Sequence, residues 1–157
     1  MVTKSIESPL AEMTLRKYER PYKLSKRELV AKLCLSLGVL QPGDSRDVII
    51  DVLYVLLEAR QTRTLLSSIE VRNAVVDVRR ACNIRLLGIA DSNIRRQLLR
   101  LRDIAIVEKI KNDYRIAEHE TMQQIFNEHI KAFYLASILQ RIEEYTQAID
   151  KEFPYTS

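Results

Sequence analysis

Residues 91–117, DSNIRRQLLRLRDIAIVEKIKNDYRIA, change periodicity part-way, and that change constrains the fold more than any other feature of the chain. Up to Arg102 the apolar residues keep a helical spacing. At about 100° per residue, Ile94, Leu98 and Leu101 fall within about 60° of arc and are expected to face a core. Ser92, Asn93, Arg96 and Arg100 fall on the opposite side, flanked by Arg95 and Gln97. Asp91 is placed to act as N-cap, its carboxylate accepting from the first-turn amides. From Ile106 to Ile110 the spacing becomes an alternation, with Ile106, Glu108 and Ile110 pointing one way and Val107 and Lys109 the other. Lys111-Asn112-Asp113 reads as a polar hairpin tip, and Tyr114 to Ala117 as a returning strand.

A capped basic helix followed by a two-stranded hairpin is the recognition-helix-and-wing half of a winged helix. The upstream sequence supplies the remaining helices. Ser25 and Glu28 form a capping box before a helix over about 26–37, with Leu29, Leu33 and Leu37 on one face, Val30, Cys34 and Leu40 beside it, and Gly38 as its stop. Asp44 or Ser45 is expected to cap a second helix, about 46–60, with Val48, Val52, Val55 and Leu56 as its core stripe. Residues 61–66 read as a short polar connection. A third helix is expected from Ser68 to Cys82, although Ile69, Val71, Val75, Val76 and Val78 are β-branched and a strand is the alternative. Residues 83–90 connect it to the basic helix, with Gly88 free to turn.

The charge is distributed unevenly. Between Arg79 and Arg102 there are seven arginines against the single acid Asp91, a local +6 in a chain of net charge +4. From Glu118 to Glu152 seven acids face three basic residues. A molecule with one anion-binding end follows from this asymmetry. Arg pairs with guanine O6 and N7, and Asn or Gln with adenine N6 and N7. The N-terminal half of a recognition helix reaches deepest into the groove. Asn93, Arg96 and Gln97 are therefore expected to read bases, with Ser92, Arg95 and Arg100 nearer the phosphates. In the wing, Lys109, Lys111, Asn112 and Arg115 are expected to meet phosphates or the minor groove. The partner expected on these grounds is double-stranded DNA.

The order R-R-Q-L-L-R-L-R, then I-V-E-K-I, then K-N-D-Y-R-I-A resembles winged-helix regulators of the MarR, PadR and TrmB type, particularly archaeal ones. Their corresponding positions hold a helix ending in L-x-x-L, a turn, I-V-E and a Y-x-(I/L) strand. The resemblance covers roughly residues 46–117 and implies sequence-specific DNA binding in transcription regulation. The glycine usual after the recognition helix is missing, and Asp103-Ile104-Ala105 stands in its place.

Beyond residue 117 the chain has no Gly and no Pro until Pro154. Met122, Phe126, Ile130, Phe133, Ile138, Ile142, Tyr145 and Ile149 recur every three to five residues, as on a long helix. Such a helix outruns a small core, so its stripe is expected to pair with a second copy of the chain. The expected organisation is a basic tail or arm (1–24), a winged-helix domain with a preceding helix (25–117) and a dimerisation helix (118–157). The fold class is mainly α with a small β-hairpin wing.

No enzyme is expected. His119 and His129 lie ten residues apart with no ligand spacing around them, and three glycines leave no phosphate loop. No cofactor and no metal are expected. Cys34 and Cys82 sit in apolar helical context, read as reduced core thiols. No apolar run approaches a membrane span, so a soluble cytoplasmic protein without membrane partners is expected. The competing expectation is a winged helix that docks protein within a replication, transcription or chromatin assembly. Leu99, off the core stripe, leans that way.

Overall fold

The structure, a computed structural model, describes residues 7–156; expectations placed on residues 1–6, including Lys4 in the basic arm, lie outside the described residues. The chain forms α1 (Lys26–Ser36), α2 (Val48–Arg60), β1 (Leu66–Ser67), α3 (Ser68–Ala81), α4 (Asp91–Asp103), β2 (Val107–Ile110) and β3 (Asp113–Ile116). A short 3₁₀ turn, Ala117–His119, leads to a continuous C-terminal helix. That helix comprises α5 (Met122–Ile125), a π-helical stretch (Phe126–Leu135) and α6 (Ala136–Glu152). The sheet is antiparallel with order β1-β3-β2, and the register pairs Leu66 with Tyr114 and Val107 with Ile116. This is a winged helix-turn-helix, preceded by one helix and followed by a long one.

α2 is the hub. Ile49, Val52, Leu53 and Leu56 are buried against α1, α3, α4 and the sheet, which is why this helix is apolar almost all round. Val71 and Val75 of α3, Ile94, Leu98 and Leu101 of α4, and Tyr114 and Ile116 of β3 close the core. Burial of the β-branched face of α3 against α2 outweighs its weak helical preference.

All four helices of the domain end alike. The amide just after a left-handed residue reaches back five positions: Val39 to Cys34, Thr64 to Ala59, Ile84 to Arg79 and Ile106 to Leu101. This Schellman closure needs a left-handed residue, supplied by Gly38, Arg63, Asn83 and Ala105. Gly38 has a second reason to lack a side chain. A Cβ there would lie 2.2 Å from the Thr14 carbonyl oxygen. The segment before α1 crosses at this point, and the Arg16 amide donates to Ser36 while its guanidinium donates to Leu35.

Several expectations need correction. β1, which begins at the last residue of the stretch read as polar connection, adds a third strand. The second helix begins at Val48 after Asp47, which makes no side-chain cap, so neither Asp44 nor Ser45 caps it. α4 is capped by Ala90, and Asp91 is its first residue. In α1 the inward residues are Val30, Cys34 and Leu37, whereas Leu29 is 44% exposed; Ile69 is likewise outside. In the wing Val107, Tyr114 and Ile116 face inward, and Ile110 does not. Cys82, past the end of α3, is exposed, and only Cys34 is a core thiol.

The C-terminal helix departs most from simple periodicity. In the π-helical stretch, hydrogen bonds run i→i+5, so residues five apart share a side. Ile125 and Ile130 are thereby both buried in the domain core, with Met122 packed against it. Met122 and Ile130 are thus packed within the chain itself. α6 buries no residue.

Candidate nucleic-acid interface

Two arginines of α3 fix the approach to α4. Arg79 Nε donates to the Arg85 carbonyl at 2.7 Å, and Arg72 Nε donates to the Ile89 carbonyl at 2.9 Å. The connection 83–90, longer than a minimal turn, is thus pinned near both its ends. Arg72 also lies 3.5 Å from Asp91. Arg79 is not part of the exposed basic surface its sequence position suggested: it is 2% exposed and turned into the core.

With Ile94, Leu98 and Leu101 inward, α4 presents two distinct polar surfaces. One is engaged in the protein itself. Asn93 Nδ2 donates to the Gly88 carbonyl at 2.7 Å, Gln97 Nε2 to Asn93 Oδ1 at 3.0 Å, and Arg100 to Gln97 Oε1 at 3.0 Å. The same guanidinium donates to the Val39 carbonyl beyond α1. Asn93, Gln97 and Arg100 form a ladder that ties α4 to the loop before it and to the end of α1. Sequence spacing sets Asn93, Gln97 and Arg100 within reach of one another but carried no sign of the partners beyond the helix, because Gly88 and Val39 contribute only backbone carbonyls.

The other surface is open. Ser92, Arg95, Arg96, Leu99, Arg102 and Asp103 are exposed. None of the three arginine guanidiniums has an ion-pair or hydrogen-bond partner among the described residues. Ser92, Arg96, Leu99 and Asp103 lie along one ridge at i, i+4, i+7 and i+11, with Arg95 and Arg102 beside it.

In the wing, Lys111 and Asn112 form a two-residue turn between Ile110 and Asp113, with Lys111 at φ 57°, and both are exposed. Lys109 is exposed with its ammonium 5.7 Å from the Tyr114 ring centroid. Arg115 is half-buried and paired with Glu108 at 2.5 Å across the hairpin; the same Glu108 oxygen accepts from the Glu118 amide. Arg115 therefore braces the base of the wing.

No group of three His, Cys, Asp or Glu side chains able to hold a metal occurs among the described residues, and none of their helices is long and apolar enough to cross a membrane. The shape is compatible with a winged-helix module that binds DNA or protein. Compared with known proteins, the chain matches no family model, no curated protein and no solved structure.

Proposed function

We propose that the protein is a homodimeric, sequence-specific transcriptional regulator that binds double-stranded DNA in the cytoplasm, of the general kind of the MarR, PadR and TrmB regulators. One observation carries it: the outward ridge of α4 holds Arg95, Arg96 and Arg102 free of internal partners, at the position where a winged helix meets a major groove. Unpartnered guanidiniums on a rigid helix are arranged for an anionic surface. Arg96 and Ser92 head the groove-facing set. Lys109, Lys111 and Asn112 of the wing add backbone contacts. Asn93, Gln97 and Arg100 hold the helix in position while keeping edges near the groove.

The second copy follows from α6. Ile138, Leu139, Ile142, Tyr145 and Ile149 fall within about 120° of arc on a helix without a buried residue, and Phe153 follows as its C-cap. An identical helix offers a matching stripe, and a two-fold pair sets two α4 helices on successive major grooves. Phe126 and Phe133, 37% and 69% exposed, extend the apolar surface toward the domain.

Binding to random duplexes across a salt series, followed by selection of the tightest sequences, tests this function. A steep salt slope and a palindromic site are expected. Retention of duplex binding with no sequence preference would remove the regulatory assignment. Exposed Ile69 and Leu87 favour a protein-docking module as second reading. Absence of duplex binding at low salt would select it.

A further inference from the structure

The core of α4 is complete without Leu99. Ile94, Leu98 and Leu101 are fully buried, whereas Leu99 is 49% exposed in the middle of the outward ridge. On a helix its neighbours are the residues three and four away. These are Arg95, Arg96, Arg102 and Asp103, so three unpartnered cations and one carboxylate surround a single apolar side chain. An apolar protein groove would desolvate those guanidiniums without partners, which burial of charge disfavours. A DNA major groove supplies phosphates at its walls and one apolar group on its floor, the thymine 5-methyl.

Resting on the DNA-binding function above, we propose that Leu99 contacts the 5-methyl group of a thymine next to a guanine paired with Arg96. Three residues along α4 advance about 4.5 Å, close to the roughly 3.4 Å of one base-pair step. Arg96 and Leu99 therefore address adjacent base pairs. Asp103 is one turn further along the same ridge, and its carboxylate is repelled by phosphates. Contact with base edges ends at Leu99, which leaves the N-terminal half of α4 deepest in the groove.

The selected duplex, compared with the same duplex carrying uracil for the thymine beside the guanine, isolates the methyl. Wild type is expected to bind the uracil duplex about fourfold more weakly per half-site, corresponding to about 0.8 kcal/mol for one methyl-sized group at 1.4 kcal/mol per tenfold. Leu99→Ala is expected to bind both duplexes equally. Arg96→Ala is expected to weaken both while keeping their ratio. Equal binding of the two duplexes by wild type, or a selected site in which no A·T pair adjoins a G·C pair, would overturn the role of Leu99 while leaving DNA binding intact. No binding to any duplex would instead overturn the DNA-binding function itself.

Discussion

The Arg79 guanidinium donates to Asp51 Oδ2 at 2.6 Å, with both side chains almost wholly withdrawn from solvent. Arg79 also reaches Asp47 at 3.1 Å, and Arg27 from α1 meets Asp51 at 2.8 Å and Asp47 at 3.3 Å. Two arginines and two aspartates thus join α1, α2 and α3 at one point, and hydrogen bonding to Asp51 holds the Arg27 pKa above its ordinary value. Removing one partner strands a buried charge. Asp51→Ala is expected to cost about 3–5 kcal/mol in urea unfolding, whereas Arg79→Met with Asp51→Leu recovers much of it. A cost below about 1 kcal/mol for Asp51→Ala would show the network to be solvated.

The two surfaces of α4 separate stability from recognition. Arg96→Ala, at an exposed and unpartnered position, is expected to leave the unfolding midpoint unchanged and to cost about 1–3 kcal/mol in DNA affinity. Gln97→Ala breaks the ladder between Asn93 and Arg100. It is expected to lower stability by about 1 kcal/mol, visible without DNA present. Equal stability losses for both variants would collapse this distinction.

Ala105 holds φ 65° at the turn closing α4, where the left-handed conformation costs an L-residue about 1–2 kcal/mol. Ala105→Gly is expected to raise stability by up to about 1 kcal/mol, part of the relief being lost to greater freedom of the unfolded chain. Thermal unfolding checks the sign.

Acid should weaken the fold through His119. Burial, with Arg115 and Arg63 nearby, holds its pKa below the ordinary 6.5, and its Nδ1 is shut from solvent without a hydrogen-bond partner. The unfolded chain takes up this proton first, so the contribution is full above about pH 6.5 and is lost as pH falls below it. Glu120 acts oppositely: burial and the nearby Glu128 and Glu118 raise its pKa, so the folded state binds that proton more readily, at lower pH. His119→Gln is expected to flatten the decline in urea midpoint between pH 7 and pH 6. An unchanged pH profile would exclude His119 as its source.

The cysteines should differ in reactivity. Burial pushes the Cys34 thiol up to about 12, whereas Cys82 is exposed. Thiol titration at neutral pH is expected to count one reactive group per native chain and two after denaturation. Two native thiols would indicate that the α1–α2 contact opens readily.

What the sequence determined by itself was the order of elements and the inward face of α4. Ile94, Leu98 and Leu101 define that face through spacing alone, the Ser25–Glu28 capping box starts α1, and the loss of helical spacing after Leu101 marks the wing. A two-residue strand, by contrast, has no periodicity, and β1 exists only because β3 offers it a hydrogen-bonding edge. The end of α1 was legible in Gly38. The next three helices end within a residue of where the spacing lapses, at Arg60, Ala81 and Asp103, but the left-handed closures at Arg63, Asn83 and Ala105 carried no sign, since no glycine announces them. Tertiary structure also decided which polar side chains of α4 remain free. Arg100 differs from Arg95 and Arg96 not in type but in lying beside the Val39 carbonyl, brought there from a distant part of the chain, while Asn93 and Gln97 are held by the Gly88 carbonyl and by each other. Helical periodicity sorts apolar from polar faces. It cannot sort one polar face from another, since the partners that satisfy a polar group are set by the packing of the whole domain.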